Sequence, residues 1–163
     1  MRAAPSSIVA FDAAYDRSTF DCGSGPLNRY LREQVTQDIR RRIAACFVAL
    51  AGGRSVAGYY TLSTASVPLA DLPSDITCKL PRYAAVPAVR MGHLAIDQAF
   101  KGQGLGGALL YDALRRAARS EIAAFALVVD AKDDQAAAFY RHHGFMELSA
   151  SSLASFLPLA TVR

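Results

Sequence analysis

The sequence holds little that would anchor it in a membrane or brace it with covalent links. No apolar run in its 163 residues is long enough to cross a bilayer. Its opening, Met1-Arg2-Ala3-Ala4-Pro5, has no apolar stretch of the kind a signal peptide needs, so no leader is expected and a cytoplasmic location is. Cysteine is scarce. Cys22, Cys46 and Cys78 are odd in number and widely spaced, which excludes a disulfide framework and a cysteine metal site and suits a reducing compartment. All three are expected to be ordinary small core residues. His142 and His143 are adjacent, but spacing places no third ligand beside them, so no metal is expected. There is no internal repeat and no low-complexity tract. The net charge of +4 favours anionic partners without naming one.

What is present is a foldable mixture. Apolar residues make up 52% and charged residues 20%, enough burial to offset chain entropy in one domain spanning 1–163. Ile8 to Phe11 reads as a first strand. Ser24-Gly25-Pro26 reads as a helix start, with Ser24 as the cap and Pro26 in the first turn. Leu27, Tyr30, Leu31, Val35 and Ile39 continue it at helical spacing towards Arg40-Arg41-Arg42, where cations suit the negative end of the macrodipole. Ala45 to Leu50 and Val56 to Thr64 read as strands joined by a Gly52-Gly53 hairpin turn. Val67 to Pro87 carries four prolines and reads as an irregular loop with a short helix. Strands are expected over Val89–Ile96 and Phe125–Val129. Helices are expected from Leu105 to Ala117 and from Asp133 to His143, the second closed by Gly144. Phe145–Leu148 and Phe156–Val162 complete the strands. The order predicts an α/β (α+β) fold, a mixed sheet with helices on its faces.

The most informative local pattern is Phe100-Lys101-Gly102-Gln103-Gly104-Leu105-Gly106-Gly107, between a strand and a helix. Glycines let the backbone turn tightly and approach a ligand with no Cβ in the way. The first amides of a helix have no internal partner and, with the macrodipole, attract phosphate oxygens. Lys101 can add a point charge. A Walker loop would end in Gly-Lys-Ser/Thr, whereas Gly106-Gly107-Ala108 stands there. The Gly102-x-Gly104-x-x-Gly107 spacing matches a dinucleotide fingerprint, but it falls late in the chain, after several strands. A plain strand-to-helix turn is the third reading.

A second block narrows these. The run from Val128-Val129-Asp130 through Lys132-Asp133-Asp134-Gln135-Ala136 to Phe139-Tyr140-Arg141-His142-His143-Gly144-Phe145 resembles the second signature of the GNAT acetyltransferase superfamily. There, Asn-x-x-Ala-x-x-Phe/Leu-Tyr-x-x-x-Gly-Phe follows a strand. The glycine turn resembles the first signature, Gln/Arg-x-x-Gly-x-Gly/Ala. Two positions depart: Lys101 stands where Gln or Arg is usual, and Asp133 where Asn is usual. A carboxylate can only accept, so Asp133 cannot donate a hydrogen bond to a cofactor. Phe20-Asp21-Cys22-Gly23, Gly58-Tyr59-Tyr60-Thr61-Leu62, Val89 to Asp97 and Phe156 to Thr161 are similar to one branch of that superfamily, the toxins of bacterial type II toxin–antitoxin pairs. His93 stands where that branch often has Arg.

The resemblance implies a GNAT acyl-CoA N-acyltransferase fold and acetyl-CoA as cosubstrate. It implies a cofactor site built from Leu94, Ala95, Ile96, Lys101, Gly102, Gln103, Gly104, Leu105, Gly106, Gly107, Asp133, Ala136 and Phe139. It also implies acetylation of the free α-amine of aminoacyl-tRNA, a block of translation, and neutralisation by a small ribbon-helix-helix antitoxin. Tyr140 falls on the motif tyrosine and is the expected general acid. A phenol with a reference pKa of about 10 keeps its proton at neutral pH and can give it to a thiolate of pKa about 8.5. The alternative for Tyr140 is a half-buried aromatic with its hydroxyl tied to backbone. An α-amine of pKa about 7.7–8.0 barely needs a base, with Asp97, His93 or a water chain as candidates.

Basic residues cluster at Arg29, Arg32 and Arg40–Arg42, at Lys79, Arg82 and Arg90, and at Arg115, Arg116, Arg119 and Arg141. They are either a solvated face or a surface that tracks the phosphates of a tRNA acceptor end. Arg90, His93 and Arg141 are the candidate substrate residues. A homodimer is possible. The alternatives are a GNAT enzyme for a small-molecule or protein amine, and a non-catalytic acyl-CoA-binding module.

Overall fold

The computed structural model describes residues 5–149 and 151–162. It is a mixed α/β fold with one seven-stranded sheet, in the order β1 (Pro5–Ala10), β2 (Ala45–Ala51), β3 (Ser55–Pro68), β4 (Ala85–Ile96), β5 (Ala126–Asp130), β7 (Ser151–Pro158), β6 (Met146–Leu148). The chain divides into two compact units, Met1–Ser63 with Gly92–Ala113 and Thr64–Met91 with Leu114–Arg163. No helix among the described residues is long and apolar enough to cross a membrane.

In the first unit, β1 (Pro5–Ala10) pairs antiparallel with β2 (Ala45–Ala51), and β2 pairs antiparallel with the part of β3 (Ser55–Pro68) from Ser55 to Leu62. Gly52 and Gly53 turn the hairpin at φ of 63° and 72°, as the glycine pair predicts. β1 ends one residue earlier than expected and begins three earlier. The first helical segment starts with Pro26 in its first turn, but the Ser24 side chain makes no capping bond. It is also not one regular helix. α1 (Gly25–Arg29) and α2 (Val35–Arg40) are joined by a π turn over Tyr30–Gln34, in which the Val35 amide reaches back to the Tyr30 carbonyl. Hydrophobic spacing does not register the change, because Leu27, Tyr30, Leu31 and Val35 stay on one buried stripe in either geometry. That stripe packs with Phe20, Val48, Leu50, Tyr59 and Ala95.

In the second unit, the first half of β4 (Ala85–Ile96) runs parallel to β5 (Ala126–Asp130), with Ala88 opposite Ala126 and Met91 opposite Val129. β7 (Ser151–Pro158) pairs antiparallel with β5 and with β6 (Met146–Leu148). Val67, Leu72, Val86, Ala88, Ala126, Val128 and Phe156 form the core here. Three expectations are corrected. The proline-rich stretch is shorter than Val67–Pro87, since β3 runs on to Pro68 and β4 begins at Ala85. What remains is a 3-10 turn at Leu69–Asp71 and the four-residue α3 (Ser74–Thr77). Pro87 sits in β4 just before its register with β5 begins at Ala88, and its carbonyl accepts the Phe125 amide at 2.8 Å. The last strand does not span Phe156–Val162. It ends at Pro158, and Leu159–Thr161 curl into a 3-10 turn. Cys22 and Cys46 are buried as expected, but Cys78 is exposed, because α3 is too short to cover its own end.

α4 (Leu105–Ala118) follows β4, and α5 (Asp134–His142) follows β5. α5 closes as the glycine predicts. Gly144 takes φ of 91°, the Gly144 amide bonds the Arg141 carbonyl at 3.0 Å, and the Phe145 amide bonds the Tyr140 carbonyl at 3.1 Å.

Candidate active site

The first unit carries the glycine turn. β4 leaves the sheet at Asp97, whose carboxylate accepts the Ala99 amide at 2.8 Å and the Asp21 amide at 3.2 Å. Only 4% of Asp97 is exposed. This carboxylate fixes the corner between β4 and the turn, so as a candidate base it is already engaged by backbone donors. Gly102 and Gly104 follow at φ of 79° and 81°, a region that costs an L-residue strain. A Cβ at either would meet nothing within 4 Å, so the turn is open on its outer side.

The amides of residues 102–107 donate to no other described residue. The first amide to bond backwards is that of Ala108, which reaches the Gly104 carbonyl at 3.1 Å. An exposed row of main-chain donors at the positive end of a fourteen-residue helix is what a diphosphate requires. These amides belong to Gly102, Gln103, Gly104, Leu105, Gly106 and Gly107. Lys101 stands beside them, but its Nζ donates to the Cys22 carbonyl at 2.9 Å and ties the turn to the segment before α1. Leu94, Ala95 and Ile96 precede the turn on β4, past Met91, where pairing with β5 ends.

His93 lies on the same strand. Its Nδ1 is 2.8 Å from the Thr61 hydroxyl of β3. Its ring stacks on Tyr30 with centroids 3.8 Å apart. The Tyr30 hydroxyl donates to Asp38 at 2.8 Å. Burial lowers the His93 pKa below the usual imidazole value, and Asp38 offsets this only in part, so the ring is neutral at neutral pH. Burial and the Asp38 carboxylate push the Tyr30 phenol well above its usual range.

The second unit carries the other motif. Asp133 caps α5, its carboxylate accepting the Ala136 amide at 2.8 Å. This is a physical account of the Asp at a usual Asn position, since both side chains cap a helix equally well. Ala136 and Phe139 are half-buried along α5. Tyr140 is 7% exposed, with its ring between Phe139 and Phe145 at centroid distances of 5.3 and 5.5 Å. Its hydroxyl bonds no other described residue, yet is not sealed from solvent. Burial of the ring pushes the phenol up to about 12. Among the described residues no backbone group bonds that hydroxyl.

Arg141 is exposed in the last turn of α5. Arg90 forms an ion pair with Asp130 on the neighbouring strand. His143 uses Nδ1 on the Phe139 carbonyl at 2.9 Å, a helix-end contact. Of the basic cluster on the first helical segment, Arg32 donates to the Phe20 carbonyl at 2.7 Å. Sequence reasoning missed the Thr61–His93 and Arg90–Asp130 pairs and the Lys101 tether. The first two join neighbouring strands, which only a known pairing register could have suggested.

The family described as "Acetyltransferase (GNAT) family" matches residues 11–145. A tRNA-acetylating toxin of Mycobacterium tuberculosis (strain ATCC 25618 / H37Rv) is 37% identical over 134 residues, covering 81% of this chain and 79% of that protein. The structure of AtaT complexed with acetyl-methionyl-tRNAfMet superposes with a TM-score of 0.89 at 31% identity, covering 96% of each chain. A mutant AtaT toxin bound to the C-terminus of the antitoxin AtaR and acetyl-CoA superposes with a TM-score of 0.79 at 27% identity, covering 96% of this chain and 94% of that one.

Proposed function

Because the chain belongs to the GNAT acetyltransferase family, we propose that it is a toxin that moves an acetyl group from acetyl-CoA to the α-amine of aminoacyl-tRNA and so blocks translation. The observation that carries this reading is the row of unpaired amides from Gly102 to Gly107. Acetyl-CoA supplies an activated acyl thioester. The chain's own residues place it and manage the protons. The amides of residues 102–107 grip the diphosphate, and Leu94–Ile96 supply main-chain donors along the thioester arm, where they polarise its carbonyl. Tyr140 keeps its proton at neutral pH, because burial raises its pKa further. It gives that proton to the departing sulfur. With Asp97 engaged by two amides, the acceptor must arrive as a free amine. The α-amine of an ester meets that condition far better than a lysine side chain.

Arg90 and Arg141 offer cationic contacts to acceptor-end phosphates, and Asp130 orients Arg90 by ion pairing. The site of action is the cytoplasm, where charged tRNA is found, and a ribbon-helix-helix antitoxin holds the activity in check. The test is incubation of the purified protein with labelled acetyl-CoA and charged tRNA. Acetyl-aminoacyl-tRNA is the expected product. Label transferred only to polyamines or lysine peptides overturns the reading. Tyr140→Phe should lower kcat by roughly 100-fold or more while leaving acetyl-CoA affinity unchanged.

A further inference from the structure

Thr61 and His93 face each other from β3 and β4 and form a fixed pair. Thr61 is 2% exposed, and the one hydrogen bond of its hydroxyl among the described residues is the 2.8 Å contact with His93 Nδ1. A hydroxyl carries one proton, and leaving that proton unpaired in a buried place costs about 1–3 kcal/mol. No described carbonyl or carboxylate receives it. The Thr61 proton therefore points at Nδ1, which accepts. In a neutral ring the remaining proton then lies on Nε2.

Nε2 has no partner among the described residues, and it is not sealed from solvent. The ring cannot swing away, because Tyr30 lies flat on it at an interplanar angle of 18°. Tyr30 is itself held by Asp38. The ionisable groups around the imidazole are Tyr30 from the π turn, Asp38 from α2 and Tyr59 from β3, whose ring centroid is 6.5 Å away. The result is a held N–H with no partner among the described residues, on the strand that continues into Leu94–Ile96.

We propose that His93 is a specificity residue, whose Nε2–H donates to the carbonyl oxygen that an α-aminoacyl ester carries beside its amine. In such an acceptor the carbonyl carbon is bonded to the carbon that bears the reacting nitrogen. A donor one residue from the strand segment assigned to the thioester is therefore placed to meet that oxygen. A single uncharged donor suits a carbonyl, whereas a phosphate calls for the charge and the paired N–H groups of an arginine. Amines without a neighbouring carbonyl, such as polyamines and lysine side chains, leave the donor unpaired and are discriminated against. This inference rests on the aminoacyl-tRNA reading, and its test separates the two.

Solution NMR of protein labelled with 15N-histidine at pH 7.5 identifies His93 as the signal lost in His93→Phe. The expected tautomer carries its proton on Nε2, and a proton on Nδ1 overturns the proposal. In kinetics, His93→Phe keeps an aromatic ring on Tyr30 and removes the donor. It should lower kcat/KM for charged tRNA by roughly 10- to 100-fold, the scale of one lost hydrogen bond, with KM for acetyl-CoA unchanged. His93→Gln, which restores an N–H, should recover part of the loss. The same variants are run on a small α-amino ester and on the matching amino alcohol. His93→Phe should erase the preference for the ester, and an equal fall on both acceptors overturns the proposal. If wild-type protein acetylates charged tRNA and His93→Phe matches it, the His93 role falls and the function stands. If wild type ignores charged tRNA, the functional reading falls, and the ester-to-alcohol ratio still decides the role of His93.

Discussion

The Asp133 carboxylate accepts the Ala136 amide at 2.8 Å, so one of the two residues that depart from the family signatures is the cap of the helix that carries Tyr140. Asparagine caps as well as aspartate, whereas alanine does not. Asp133→Asn should leave the urea midpoint nearly unchanged, and Asp133→Ala should cost about 1 kcal/mol. The Ala variant should also lose turnover, since it frees the first turn of α5. Equal stability in the two variants would remove the cap.

Gly104 separates backbone conformation from packing. Its φ of 81° sits in the left-handed region, and an added Cβ touches nothing. Gly104→Ala should therefore cost about 1–2 kcal/mol through conformation alone. Because the turn then relaxes away from that geometry, calorimetry should show acetyl-CoA binding weakened by roughly tenfold, the equivalent of about 1.4 kcal/mol. Gly25 also has open space around it but needs no positive φ, so Gly25→Ala is the control that leaves binding unchanged.

Gly58 has the opposite problem. A Cβ there would lie 2.9 Å from Leu109 Cδ1 and 3.1 Å from the Ala95 carbonyl oxygen. The leucine can rotate but the backbone oxygen cannot. Gly58→Ala should destabilise by about 1–3 kcal/mol in urea unfolding, the range for overpacked cores. A neutral result would mean that β3 and α4 pack more loosely than the structure has them.

Burial holds the His93 pKa below the usual imidazole value of about 6.5. The unfolded chain then takes up a proton at higher pH than the folded one. Stability should fall as pH drops below about 6.5 towards the folded pKa, and it should be flat for this residue above 6.5. His93→Gln should remove that part of the slope. Chemical unfolding from pH 7.5 to 5.5 checks it.

The sequence was most readable where a local rule has few exceptions. Gly52-Gly53, Gly102, Gly104 and Gly144 all occupy the left-handed backbone that their positions suggest. α4 and α5 follow their hydrophobic stripes, and the amides of residues 102–107 donate to no other described residue. Features set by distant partners were not readable. Composition near Pro68 and Pro87 suggests loop, yet β3 runs on to Pro68 and β4 begins at Ala85, so both prolines lie within strands. A π turn and an α turn bury the same side chains at Tyr30–Gln34. Lys101 looks like a free phosphate contact until the Cys22 carbonyl is found beside it, 79 positions away in the chain.

Cys78 gives the molecule a practical handle. Cys22 and Cys46 are enclosed while Cys78 faces water, so a maleimide dye added to the native protein should attach at one place, just after α3. A fluorophore fixed there would follow the stretch between β3 and β4 while charged tRNA is added. No cysteine would have to be engineered in or out.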